Sequence, residues 1–330
     1  MLKLLIISNE YLRSGRPRNP IIQRIVAATA ADERVESVEF VPFTNRFSDF
    51  GKIRSAAKRS DLIHIHFGGA YAFLVWIALI GIRKPKFITF HGTDIHMGEL
   101  QTERRPLFRL KIRINQKCSF LSLRCFDRCG FVNKSLIDFI PPGLKAKTSG
   151  KYFIQHLGVD YGLFRIIPKK EAGEMLGIVS DKKQVLFSDL SGTPLKRRDI
   201  AQSIVSALGH DFELLVMNRV KPELVPVYLN ACDFLLLTSD AEGSPNIVRE
   251  ALSLNVPVFS VDVGDVAEQI AGLRNSAIIS REPEEAAGTI LEKLSHPVAE
   301  DTRALLRDRL DFRLLAKDVV DIYVSYSQKI

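Results

Sequence analysis

Eleven short apolar, β-branched runs alternate with amphipathic helical stretches along almost the whole chain. This rhythm constrains the fold more than any other feature. A first series is 2–7 (LKLLII), 38–41 (VEFV), 61–66 (DLIHIH), 86–90 (KFITF), 130–132 (GFV) and 152–156 (YFIQH). A second is 184–187 (QVLF), 212–216 (FELLV), 233–238 (DFLLLT), 256–261 (VPVFSV) and 277–280 (AIIS). Continuous apolar strands separated by helices belong in parallel sheets covered on both faces. Two such series predict an α/β protein with two doubly wound, Rossmann-like domains. The chain's 330 residues suit two domains of ordinary size. The rhythm breaks near 162–180, where "RIIPKKEAGEMLG" intervenes.

Several function classes fall away. The start "MLKLLIISNE" turns polar after a short apolar run and reads as a strand, not a signal peptide. The longest apolar run, 70–82 (AYAFLVWIALIGI), is shorter than the roughly 20 residues a membrane span needs. It is expected as a helix buried between other elements, in a cytoplasmic protein. Cys118, Cys125, Cys129 and Cys232 contain no CxxC pair, so buried free thiols are expected rather than zinc. His64, His66, His91 and His96 could gather round a metal, but no Asp-x-Asp accompanies them, and hydrogen-bonded core histidines are commoner. No GxGxxG follows the first strand, which disfavours a nicotinamide-dependent dehydrogenase.

Charge is split between the halves. Residues 1–165 hold 27 Lys and Arg against 13 Asp and Glu, a net +14, whereas 166–330 hold 19 against 25, a net −6. Such asymmetry points to a polyanionic partner for the first half. Within 104–128, Leu107, Leu110, Ile114, Cys118, Leu121 and Cys125 make an apolar stripe at helical spacing. Arg105, Arg109, Arg113 and Lys117 make a basic row beside it. A solvated face and docking on anionic lipid both fit. No nucleic-acid motif or aromatic stacking surface accompanies the charge, so no nucleic-acid partner is expected.

Ligands of doubly wound sheets bind at the carboxyl ends of strands. Four unusual stretches sit there: "HIHFGGA", "HGTDIH", "SDLSGTPLK" and "SDAEGSPN". In "SDAEGSPNIVREAL" (239–252), Pro245 suits a first helical turn, which makes Ser244 the N-cap. The amides of Gly243, Ser244, Asn246 and Ile247 would then form an anion site. Ile247, Val248, Ala251 and Leu252 form the buried face, and Glu250 lies at its shoulder, where a carboxylate can hold a vicinal diol. A capped surface helix explains the same residues equally well on geometry alone.

The stretch "SDAEGSPNIVREALSLNVPVFSVDVGDVAEQI" resembles the Glu-x7-Glu signature of retaining family 4 glycosyltransferases with the GT-B fold. Four more segments match in the family's order. They are "DLIHIHFGGAYAFLVWIALIGIRKPKFITFHGTDI", "GVDYGLF", "VLFSDLSGTPLKRRDIAQSI" and "FRLLAKDVVDIYVSY". The resemblance implies two Rossmann-like domains facing across a cleft. An acceptor-binding domain over 1–165 would be joined by a C-terminal helix (312–330), and a nucleotide-sugar domain would cover 166–311. It implies that Lys196 neutralises the leaving diphosphate and that Glu242 and His91 attend the donor sugar. Glu250 would bind the ribose, with Gly243, Ser244, Asn246 and Ile247 holding sugar and diphosphate. Asp94 and Gly15 would lie on the acceptor side.

Three positions depart from the family pattern. Leu190 stands where an Arg usually precedes the Lys, and Arg197 or Arg198 could supply that charge instead. Gly15 is the only glycine of the first loop, and Leu157 replaces an Asn before "GVD". The expected activity is metal- and cofactor-independent transfer of a sugar from a nucleotide-diphosphate donor to a glycan or lipid-linked acceptor in surface polysaccharide or glycolipid assembly. An anionic membrane surface is a further expected partner. A sugar-nucleotide epimerase and a catalytically idle GT-B binding protein are the rivals.

Overall fold

The computed structural model describes residues 1–9, 20–44, 47–96, 104–178, 180–189, 192–296 and 300–328. Gly15 and Leu190 lie outside the described residues. Every apolar run forms a strand. The first series gives β1 (Leu2–Asn9), β2 (Val35–Phe43), β3 (Leu62–His66), β4 (Lys86–Phe90), β5 (Arg128–Phe131) and β6 (Tyr152–Ile154). The second gives β7 (Lys183–Ser188), β8 (Phe212–Met217), β9 (Phe234–Leu237), β10 (Val258–Ser260) and β11 (Ala277–Ile278). Pairing is parallel throughout, in the orders β2-β1-β3-β4-β5-β6 and β11-β10-β9-β7-β8. In each sheet the order reverses beside its first strand, at β1/β3 and at β7/β9, and ligand crevices open at such points.

The chain divides into two compact units, Met1–Leu157 with Phe312–Ile330, and Gly158–Asp311. Gly158 to Phe164 go with the second unit because Val159 and Phe164 are buried in its core and Val159 pairs with Asp311. In the first unit, Leu5, Ile7, Ile63, Ile65, Ile88 and Phe90 pack on one face of the sheet. On the other face Leu4, Leu62, Phe87 and Phe153 meet Val319, Val320 and Tyr323 of the helix Phe312–Ser327. Burial of each such side chain contributes about 1.5–3 kcal/mol, so a strand apolar on both faces is held from both sides. Toward its carboxyl end this second face becomes polar: Ser8 stands opposite His66, and His66 opposite Thr89.

Two expectations need correcting. The helix expected to be buried over 70–82 runs Ala70–Ala78 and buries only one side, through Tyr71, Ala72, Val75 and Ala78. Leu74, Ile77 and nearby Ile80 are exposed. Cys118 and Cys125 are only half-buried, whereas Cys129, on β5, and Cys232 are buried. All four thiols are free. No described helix is long and apolar enough to cross a membrane.

Candidate active site

The second unit gathers its polar residues where β7 and β9 end. Lys196 closes the single helical turn Pro194–Lys196 after β7, and Glu242 lies in the loop after β9. These loops are stitched together. Thr238 Oγ1 donates to the carbonyls of Lys196 (3.0 Å) and Arg197 (2.9 Å), and Asp240 N donates to the Leu195 carbonyl at 2.8 Å. Lys196 Nζ therefore reaches Glu242 Oε1 at 2.5 Å, and Ser239 Oγ donates to the same oxygen at 2.7 Å. The side chains are only 20% and 15% exposed, so solvent screens this ion pair weakly. Arg197 is committed elsewhere, bound to Asp199 (2.9 Å) and Asp240 (3.2 Å). Arg281, which the sequence reading passed over, joins Asp240 at 2.9 Å and donates to the Ser239 carbonyl at 2.9 Å.

The loop carrying Glu242 leads into the helix Asn246–Leu252, and here the expected cap is corrected. Pro245 occupies the cap position, in extended conformation and without a side-chain cap bond. Ser244 does not cap the helix because its hydroxyl is taken. It donates to Asp265 Oδ2 (2.5 Å) and accepts from Arg249 Nη1 (2.7 Å). Arg249, buried on the helix, also donates to the Ser244 carbonyl (3.1 Å) and Asn246 Oδ1 (2.9 Å). Asp265 accepts from Gln269 Nε2 at 2.6 Å. Ile247, Val248, Ala251 and Leu252 are buried as expected, and Glu250 is half-buried. Gly264 fits this loop closely: a Cβ there would lie 2.8 Å from the Gly243 carbonyl oxygen. Neither Arg249 nor Asp265 shows in local periodicity; an arginine inside an otherwise apolar helical face was the available signal.

In the first unit the ends of β3 and β4 converge. Asp94 is buried, and its carboxylate accepts backbone N–H bonds from Gly68 (2.7 Å), His91 (3.0 Å) and Gly92 (2.8 Å). Burial raises its pKa, while those N–H groups pull the other way. Its side chain thus ties the two strand-end loops together. His66 Nδ1 lies 3.2 Å from His91 Nε2, and the Phe67 ring packs 4.2 Å from that of His91. Phe67 holds a left-handed backbone at φ 70°, a strain that recurs at functional sites. Burial pushes His64 and His91 well below the usual histidine range and His66 down to about 3, so all three are neutral at pH 7. No group of three or more His, Cys, Asp or Glu among the described residues is placed to hold a metal.

The basic segment forms the helix Pro106–Cys125, which buries Ser119, Ser122 and Leu123. Its apolar stripe faces out: Leu107 is 80% exposed, Leu110 54% and Ile114 49%. The helix meets Gly68 and Gly69 through small polar side chains. A Cβ on either would meet Ser119 Oγ at 2.7 Å or Asn115 Oδ1 at 2.2 Å, and Asn115 Oδ1 accepts from Ala70 N at 2.9 Å. Arg105, Arg113 and Lys117 are exposed and Arg109 is half-buried.

Two parallel, Rossmann-like sheets with polar strand ends define a protein of the GT-B fold. Residues 183–296 match the family described as Glycosyl transferases group 1. It is 26% identical over 269 residues to the putative teichuronic acid biosynthesis glycosyltransferase TuaC of Bacillus subtilis (strain 168). The match takes in 72% of this chain and 61% of that protein, so the chain spans 61% of the length of this relative. Anabaena Alr3699/HepE in complex with UDP-glucose superposes with TM-score 0.72 at 17% identity, over 98% of this chain and 100% of that one. WaaG, a glycosyltransferase involved in lipopolysaccharide biosynthesis, gives 0.64 at 17% identity, over 97% and 99%. At these identities the structural likeness is one of fold.

Proposed function

We propose that the protein is a retaining glycosyltransferase that moves a sugar from a nucleotide-diphosphate donor to a glycan or lipid-linked acceptor in surface polysaccharide assembly. The observation that carries this reading is the Lys196–Glu242 pair, 46 positions apart in sequence and 2.5 Å apart in space at the ends of β7 and β9. Bond cleavage at the sugar's anomeric carbon leaves negative charge on the diphosphate. A fixed, weakly screened ammonium stabilises that charge as it develops. Glu242 holds the ammonium in place and Glu250 takes the ribose hydroxyls. From the first unit, His91 serves the reacting sugar and Asp94 fixes the loop of the acceptor side. The new glycosidic bond forms on the face from which the diphosphate leaves, and the acceptor's proton passes to a diphosphate oxygen.

The relative's name suggests a teichuronic-acid-type polymer as the product class, and the UDP-glucose complex of the Anabaena protein makes UDP-sugars the first donors to try. The first unit's net charge and the exposed Leu107, Leu110 and Ile114 beside Arg113 and Lys117 support docking on an anionic membrane, where a lipid-linked acceptor resides. A thermal-shift panel of UDP- and GDP-sugars tests the donor site. One donor should raise the melting temperature, and Glu250→Ala should abolish the rise. A flat response to every nucleotide sugar would overturn the reading.

A further inference from the structure

The buried polar band of the first unit fixes where its histidine protons sit. His64 and His66 lie on one face of β3 with rings stacked at 4.4 Å. Both nitrogens of His64 are used, Nδ1 by the Tyr323 hydroxyl and Nε2 by Thr89 Oγ1 at 2.8 Å. The single Thr89 hydroxyl proton goes to Gln155 Oε1 at 2.5 Å, so Thr89 must accept from His64. His64 therefore carries its proton on Nε2 and accepts from Tyr323 on Nδ1.

His66 is placed differently. Its Nδ1 faces His91 Nε2 at 3.2 Å, and its Nε2 is buried with no partner among the described residues. A proton on Nε2 would leave a buried N–H donor without an acceptor, and orphaned N–H groups are the costlier kind. A bare Nε2 costs less, which puts the proton on Nδ1. Burial keeps both rings neutral, so one proton is shared out to each. We propose that His66 is a positioning residue that donates Nδ1–H to His91 Nε2 and so makes His91 carry its own proton on Nδ1. His91 then offers a ligand oxygen a hydrogen-bond donor, not a base.

The tautomer follows from the hydrogen bonds and the burial of the rings; its effect on turnover rests on the glycosyl-transfer reading. Long-range 1H–15N spectra of the full, ligand-free chain labelled at histidine read the tautomer directly, with the His91 signal assigned by its loss in His91→Asn. The expected result is Nδ1–H for His91 and His66 and Nε2–H for His64. An Nε2–H tautomer at His91 would overturn the proposal. In His66→Phe, which has no donor, His91 should leave the Nδ1–H form. In His66→Asn, whose amide N–H can stand in for Nδ1–H, it should stay. With a nucleotide sugar that the wild type turns over, kcat should fall about ten-fold or more in His66→Phe at unchanged donor KM and recover in His66→Asn. Equal losses in the two variants would count against positioning. Failure of the wild type to turn over any nucleotide sugar would sink the glycosyl-transfer reading and leave the tautomer measurement standing.

Discussion

The two units end their sheets in polar loops of opposite electrical character. In the second, charge meets charge: Lys196 with Glu242, Arg249 with Asp265, and Arg197 and Arg281 on Asp240. In the first, the groups are neutral: three imidazoles, Thr89, Gln155 and Tyr323, with one carboxylate wrapped in backbone N–H bonds. An end rich in fixed cations suits a diphosphate, whose charge must be met as it grows. A buried, largely neutral end suits sugar hydroxyls, which gain little from a net charge. Acid should expose this contrast.

The largest expected effect is therefore a difference in acid stability. With folded pKa values lowered, His64, His66 and His91 stay unprotonated where the unfolded chain takes up protons, near and below pH 6.5. The unfolded state then binds more protons, so stability is full above that pH and is lost as pH falls. Each histidine costs about 1.4 kcal/mol per pH unit in that window. Asp94, with its pKa raised, works the other way, one group against three. The second unit's histidines, His210 and His296, are exposed. Trp76, the protein's single tryptophan, lies in the first unit and reports it alone. Between pH 7 and 5 its fluorescence transition should move to lower denaturant than the second phase seen by circular dichroism. Coincident shifts would erase the contrast.

Next in size is the loss of a charge from the second unit. If Lys196 meets the charge of the leaving diphosphate as proposed, Lys196→Ala should lower kcat by about 10²–10³-fold while leaving the fold intact. Release of nucleoside diphosphate measures it, and a wild-type rate in this variant would remove Lys196 from the chemistry. Glu242→Gln frees the ammonium and should cost less.

A smaller effect separates packing from conformation in the same unit. Gly264 and Gly177 both hold left-handed backbone, at φ +61° and +67°. Only Gly264 is crowded, with the Gly243 carbonyl 2.8 Å from a built Cβ; nothing lies within 4 Å at Gly177. Alanine at Gly177 should cost about 1 kcal/mol for conformation alone. Alanine at Gly264 should cost roughly 1–3 kcal/mol and also disturb the loop of Glu242. Chemical denaturation gives both values, and equal costs would show that the Gly264 contact relaxes freely.

The fold was legible because its strands are apolar on both faces, so eleven runs stood out from their surroundings and all eleven formed strands. What escaped the sequence reading was decided by distant partners. Ser244 looked like a helix cap, yet Asp265, 21 positions on, takes its hydroxyl. Arg249 is buried only because that same carboxylate and Ser244 receive it. The stripe from Leu107 to Leu121 had helical spacing, but spacing does not say which side meets the sheet. Ser119 and Asn115 pack against Gly68 and Gly69, and the leucines face outward.

That outward stripe allows the smallest and most direct comparison, between charge and apolar surface on one helix. Each basic residue near an anionic membrane contributes about 1 kcal/mol, so Arg113→Gln with Lys117→Gln should weaken binding to anionic vesicles by about 2 kcal/mol, some thirty-fold. Binding to neutral vesicles, already weaker, should not change. Leu107→Ser with Leu110→Ser removes apolar contact and should weaken both, since these side chains, 80% and 54% exposed, would enter the headgroup region. Flotation on vesicles with and without anionic lipid separates the two contributions. If the glutamine pair floats like the wild type on anionic vesicles, the charge of the first unit serves something other than a membrane.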